Sequence, residues 1–144
     1  MEEKDCHDIL LVEDDAGDAG LVRIALRRSR HPCRLHHVKD GREAMAFLRR
    51  GEGHDQAPRP DLILLDLNLP GRTGHEILEE IRADSLLCSI PVVILSTSGA
   101  ERDIKTAYAL GASSYVSKPM DVEDFTAAIH SIEDFWFGTA RIPS

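Results

Sequence analysis

The sequence predicts an α/β fold: a five-stranded parallel sheet, doubly wound, with helices on both faces. Three observations predict it. Short apolar runs recur at residues 9–12, 35–38, 62–65, 92–95 and 114–116. Longer stretches with helical spacing separate them, and parallel strands need such crossover connections. The run Leu62-Ile63-Leu64-Leu65 is apolar on both faces, as a strand covered on each side must be.

Each intervening stretch carries the repeat of one buried helical face. The first is marked by Leu21, Ile24, Ala25 and Arg28, the second by Ala44, Phe47 and Leu48, and the third by Ile77, Leu78 and Ile81. Ile104, Ala107, Tyr108 and Leu110 mark the fourth; Val122, Phe125, Ile129, Ile132 and Trp136 mark the fifth. Gly41, Gly74 and Gly111, with Pro70, Pro91 and Pro119, punctuate the junctions. Residues 50–60, rich in Gly, Pro and charge, read as one long exposed loop.

Bulk properties narrow the function. A chain of 144 residues fits one domain, and 42% hydrophobic with 29% charged residues is an ordinary globular mixture. A formal net charge of -8 opposes direct binding to nucleic acid or an anionic membrane. Cys6, Cys33 and Cys88 have neither CxxC nor zinc spacing and read as plain thiols. The short charged start, Met1-Glu2-Glu3-Lys4-Asp5, lacks the apolar core of a signal peptide, and no stretch is long enough to span a membrane. The cytoplasm is the expected compartment, and no room for an output domain is expected after the fifth helix.

Ligands of open α/β sheets sit at the carboxyl ends of the strands. The first run ends in Glu13-Asp14-Asp15, the third in Asp66, the fourth in Ser96-Thr97 and the fifth in Ser117-Lys118. Acids, a hydroxyl and an ammonium should therefore meet at one rim. Crowded carboxylates repel unless some are protonated or a cation intervenes. Hard oxygen ligands favour Mg²⁺, with Mn²⁺ as a substitute. Lys118 could hold a phosphate oxygen and Ser96 could hydrogen-bond another, a set suited to phosphoryl transfer onto a carboxylate. Asp66 directly follows four apolar residues, where an unpaired charge would be costly.

The segments Leu11-Val12-Glu13-Asp14, Leu65-Asp66-Leu67-Asn68-Leu69-Pro70-Gly71, Val93-Ile94-Leu95-Ser96 and Tyr115-Val116-Ser117-Lys118-Pro119 together resemble the signature of two-component response-regulator receiver domains, over residues 8–134. The resemblance implies a flavodoxin-like (βα)5 sheet with strand order 2-1-3-4-5. It implies Asp66 as phosphoacceptor, Asp14 as direct metal ligand, Glu13 acting on the metal through water, and Asn68 ligating through its backbone carbonyl. Ser96 and Lys118 match the switching hydroxyl and the ammonium, and Tyr115 the aromatic that turns inward when Ser96 moves. Lys118-Pro119 matches the family's cis junction. Such a protein catalyses only its own phosphorylation and autodephosphorylation. Thr97 and Ser98 stand where relatives vary, which leaves phosphoryl lifetime open, and Asp15 reads as a cap of the following helix.

The 50–60 insertion and the closing Phe135-Trp136 with Ile142-Pro143 further resemble the receivers that partner bacterial phytochromes. That implies a phytochrome-type sensor histidine kinase as donor and a homodimer. Residues 1–134 would form the receiver and 135–144 a C-terminal extension, with Phe135, Trp136 and Phe137 at the dimer interface. The expected output surface is the fourth helix, fifth strand and fifth helix. A shuttle or sink for a different kinase is the alternative reading. An aspartyl-phosphate phosphatase is disfavoured, because it would need a second Asp where Asn68 stands. A flavin module would need a Ser/Thr/Gly-rich phosphate loop where Glu13-Asp14-Asp15 stands. The histidines read as structural: His36 and His37 are neighbours in a strand and point to opposite faces, so they cannot chelate together.

Overall fold

The computed structural model describes residues 6–140; the charged start 1–5 and the Ile142-Pro143 pair lie outside the described residues. Strands β1 (His7–Val12), β2 (Cys33–Val38), β3 (Leu62–Leu65), β4 (Val92–Ser96) and β5 (Ser114–Ser117) alternate with helices α1 (Ala16–Arg27), α2 (Gly41–Leu48), α3 (Gly74–Ala83), α4 (Glu101–Ala109) and α5 (Val122–Glu133). All strand pairs are parallel, in the order β2-β1-β3-β4-β5. The winding reverses between β1 and β3, which opens a crevice at their carboxyl ends.

Side chains alternate between the two sheet faces. Leu10, Val12, Ile63, Leu65, Val92 and Ile94 form one core with α2 and α3. Ile9, Leu11, Leu62, Leu64, Val93 and Leu95 form the other with α1 and α5. The three central strands are thus buried on both faces, as their unbroken apolar runs require.

Helix starts follow the side-chain chemistry. Asp15, Asp40 and Asp121 accept hydrogen bonds from first-turn N–H groups of α1, α2 and α5, and Thr73 with Glu76 forms a reciprocal capping box on α3. Gly74 is required by close approach: a Cβ there would lie 2.3 Å from the Asp66 carbonyl oxygen and 2.7 Å from Leu67 Cα. The start of α3 therefore rests directly on the backbone that presents Asp66.

Several expectations are corrected. The buried stripe of α1 is Ala19, Val22, Ala25 and Leu26, whereas Ile24 and Arg28 face solvent. On α4 only Ala107 is buried and Tyr108 is about half exposed, because β5 is an edge strand and offers little surface to cover; Val122, the first residue of α5, is also about half exposed. No cis peptide occurs among the described residues, so Lys118–Pro119 is trans, the lower-energy form, and not the expected cis junction. The 50–60 loop is exposed over most of its length, as expected, and is also tied down. Arg50 adopts φ 52° and donates from Nε to the Ala57 carbonyl at 2.9 Å, and Arg59 bonds the Leu86 carbonyl and Ser89. Ala57 packs on the core and Pro60 is buried.

After Glu133 the last helix widens into a π-helical turn, Asp134–Thr139. The wider turn changes the phase, so Trp136 and Phe137 both pack against the α1/α5 core while Phe135 stays about half exposed. Phe137 stacks on His7 with ring centroids 4.1 Å apart. No helix among the described residues is long and apolar enough to cross a membrane.

Candidate functional site

The β1 end is tied through its backbone to β2 on one side and to β3 on the other. Glu13 N–H donates to the Val38 carbonyl at 3.0 Å, and Asp66 N–H to the Val12 carbonyl at 3.1 Å. Lys118 N–H donates to the Ser96 carbonyl at 2.7 Å, which brings the β5 end to the β4 end. His37 Nε2 lies 2.7 Å from the Glu13 carbonyl oxygen, which can only accept, so that nitrogen carries a proton and steadies the β1 end.

The side chains converge on Lys118. Its ammonium bonds Glu13 Oε1 at 2.5 Å, Asp18 Oδ2 at 2.8 Å and Asp66 Oδ2 at 3.2 Å. The Lys118 side chain is only 5% exposed, and Glu13 and Asp66 are buried. The other Asp66 oxygen, Oδ1, accepts from Asn68 N–H at 3.2 Å, so both carboxylate oxygens are fixed. Asp14 lies beside this cluster in sequence but is exposed.

Charge in the cluster is unbalanced: Glu13, Asp18 and Asp66 surround one ammonium. Burial pushes the Glu13 carboxyl up to about 7; the Lys118 hydrogen bond opposes this and nearby Asp66 reinforces it. Burial alone would weaken the Lys118 ammonium, but hydrogen bonds to Asp18 and Glu13 and the charge of Asp66 outweigh it and raise its proton affinity. The site thus retains protons to offset an excess of acid, which is the imbalance a divalent cation relieves. Every donor offered is a hard oxygen, and the expected metal set of Asp14, Asp66, the Asn68 carbonyl and water-linked Glu13 fits such an ion. Among the described residues no three His, Cys, Asp or Glu side chains form a ready-made cage. A set that leaves coordination positions for water and phosphate oxygens needs none.

Ser96 is fully buried and is not bonded to Asp66. Its Oγ accepts from Ser98 N–H at 3.1 Å. Ser98 Oγ donates to Asp103 Oδ2 at 2.6 Å, and the Tyr115 hydroxyl donates to the Ser98 carbonyl at 2.8 Å. Thr97 is exposed at the rim. Asp15 caps α1, as expected, accepting from Asp18 N–H at 3.0 Å. The histidines are spread over separate structural contacts: His36 bonds Asp8, His130 the Ala25 carbonyl and His75 the Asp103 carbonyl.

Sequence reasoning missed Asp18. Its contact with Lys118 spans 100 residues. The available signal was its place in the first turn of the helix that leaves the acidic β1 end.

Comparison with known proteins identifies the family. The model of the response regulator receiver domain family matches residues 9–130. Response regulator Rcp1 of Synechocystis sp. is 42% identical over 136 residues, covering 94% of this chain and 92% of Rcp1. The crystal structure of the phosphorylated cyanobacterial phytochrome response regulator RcpA superposes with a TM-score of 0.92 at 46% identity, covering 96% of this chain and 99% of RcpA. The Mn(2+)-bound form of Rcp1 superposes with a TM-score of 0.90 at 41% identity, covering 96% of this chain and 99% of that one. Sheet order and family match agree, and the chain belongs to the response regulator receiver domain family.

Proposed function

We propose that this chain is a stand-alone response regulator that accepts a phosphoryl group on Asp66 from a phytochrome-type sensor histidine kinase. The observation that carries the reading is the Lys118 ammonium held between Glu13 and Asp66 where the sheet winding reverses. Likeness to Rcp1 and to the phytochrome response regulator RcpA over nearly the whole chain supports the choice of kinase.

In the transfer, an Asp66 carboxylate oxygen forms a bond to phosphorus, and the bond from phosphorus to the donor breaks with its electron pair leaving on the donor. Asn68 N–H and Lys118 fix the plane of the carboxylate beforehand. Lys118 then neutralises one phosphoryl oxygen. A divalent cation, Mg²⁺ or Mn²⁺, supplies further charge neutralisation when bound. Asp14, Asp66 and the Asn68 carbonyl would hold it, with Glu13 acting through water. In the switch, Ser96 turns from Ser98 toward the phosphoryl group and Tyr115 follows; the bonds of both residues to Ser98 support this reading.

The donor domain must reach this rim from outside. A concavity of about 230 Å³ beside Lys118, walled by Leu21, Met120, Val122 and Phe125, offers an apolar foothold, and Met120 and Val122 are exposed. Residues 1–134 act as the receiver, in the cytoplasm, and 135–144 as an extension that supports a homodimer. Phe135, with Trp136 and Ile132, lines an apolar groove of about 490 Å³ against β5 and α5. Phe137 contributes to that interface by seating the turn on His7.

The test is incubation with acetyl phosphate and Mg²⁺ followed by intact-mass measurement. Wild type should gain one phosphoryl group and Asp66→Asn none. No gain in wild type, or equal gain in the variant, overturns the assignment.

A further inference from the structure

Lys118 has three N–H bonds and makes three contacts, of unequal length. Glu13 at 2.5 Å and Asp18 at 2.8 Å hold it closely, whereas Asp66 lies at 3.2 Å. Glu13 comes from the end of β1, Asp66 from the end of β3, and Asp18 from the first turn of α1. Asp18 is itself fixed: Asp15 caps its N–H at 3.0 Å, and its side chain is only 29% exposed. The lysine stem is long and rotatable, so an ammonium with two firm holders has its third N–H aimed by geometry.

We propose that Asp18 is a positioning residue for phosphoryl transfer: with Glu13 it clamps Lys118 so that the remaining N–H points at Asp66 and passes to the phosphoryl oxygen formed there. The proposal rests on Asp66 being the phosphoacceptor. As the carboxylate oxygen bonds to phosphorus and an acyl phosphate forms, Asp66 loses the charge that attracted Lys118, and the transferred phosphoryl oxygens bring negative charge in its place. The longest contact is exchanged while the two shorter ones persist. Asp18 touches neither the donor nor the phosphoryl group in this scheme; it acts through Lys118.

The experiment compares wild type, Asp18→Asn and Asp18→Ala by two readouts. The first is the rate of phosphorylation by acetyl phosphate with Mg²⁺. The second, made without phosphodonor, is the NMR signal of the Lys118 ammonium, whose protons exchange slowly with water only while they are held. Asp18→Ala should slow phosphorylation about tenfold, the scale expected for a misplaced catalytic group. It should also broaden or abolish the ammonium signal, with melting temperature unchanged to within a few degrees. Asp18→Asn, which still accepts a hydrogen bond, should recover most of both. Wild-type rate and an intact ammonium signal in Asp18→Ala would overturn the proposal, as would an Asn variant no better than Ala. If wild type itself takes no phosphoryl group, the phosphoacceptor reading fails, and the NMR arm still decides whether Asp18 clamps Lys118.

Discussion

Replacing Gly74 with Ala tests the contact that sets Asp66 in place. The added Cβ would sit 2.3 Å from the Asp66 carbonyl oxygen, 2.7 Å from Leu67 Cα and 3.0 Å from the Asp66 carbonyl carbon. Ordinary contact begins near 3.5 Å, so α3 or the β3 end must give by about 1 Å. All three neighbours are backbone, which cannot swing aside as a side-chain tip can. The β3 end is also fixed by Asp66 N–H to the Val12 carbonyl, and α3 by Gly74 N–H to the Leu67 carbonyl at 2.9 Å. Overpacking of this kind costs about 1–3 kcal/mol, and a rigid backbone clash places it at the upper end. A shift of about 1 Å at Asp66 should also slow phosphorylation by up to about a hundredfold. Gly20 is the control: it lies within α1, and nothing stands within 4 Å of the Cβ position. Gly20→Ala should therefore stabilise the fold by about 1 kcal/mol through helix propensity alone. Urea unfolding followed by circular dichroism measures both, and acetyl phosphate uptake measures the effect on Asp66. A Gly74→Ala protein as stable and as reactive as wild type would refute the reasoning.

Two buried acids give pH-dependent predictions. The folded Glu13 value of about 7 lies above its ordinary 4.5, so the folded protein holds a proton that the unfolded chain releases between those values. Its favourable contribution is fully present below about pH 4.5 and is lost as pH rises through about 7. In chelator, Glu13→Gln should flatten the fall in melting temperature between about pH 5.5 and about pH 8, and an unchanged slope would count against this. Glu133 is also buried and its carboxyl is raised by burial; Ser29 donates to one of its oxygens, and the other has no hydrogen-bond partner among the described residues. Ser29→Ala removes that donor and should cost about 1–3 kcal/mol, with the larger loss at alkaline pH where the carboxyl is ionised. Equal losses under acid and alkaline conditions would contradict it.

What was legible in the sequence follows from range. Strand runs such as Leu62–Leu65 and buried faces such as Ile77, Leu78 and Ile81 are set by local pattern, and they read correctly. The phase of α1 did not, because its stripe is built partly on Ala19 and Ala25, which carry weak apolar signal beside Ile24. The rim acids were legible because strand ends of one parallel sheet lie together. Asp18 was not, since its role depends on how the first turn of α1 folds back over β1. The π-helical turn was equally hidden: nothing in Asp134–Thr139 marks one extra residue per turn, and its reward is tertiary, the seating of Phe137 on His7. The helical phase did place Trp136 inward with one phenylalanine elsewhere, but it could not tell that Phe137 packs inward and Phe135 outward.

Ser98 joins the rim to α4 and β5 through hydrogen bonds. Its N–H is committed to Ser96 Oγ, its hydroxyl to Asp103 in the first turn of α4, and its carbonyl to the Tyr115 hydroxyl on β5. A movement of Ser96 toward Asp66 withdraws the acceptor from the Ser98 N–H, and the 97–98 peptide unit that carries this N–H is then freed to turn about the Ser98 Cα. The carbonyl that holds Tyr115 and the hydroxyl that holds Asp103 sit on the same residue, so both contacts are strained together. Tyr115 N–H in turn donates to the Tyr108 hydroxyl at 3.1 Å, which returns the coupling to α4. α4 has one buried residue, Ala107, and is the helix least restrained by the core. Because α4 is so lightly held, a rearrangement at Ser98 has little packing to overcome there. The edge formed by α4 and β5 is therefore where the hydrogen bonds of Ser98 lead and where the packing that opposes a rearrangement is least.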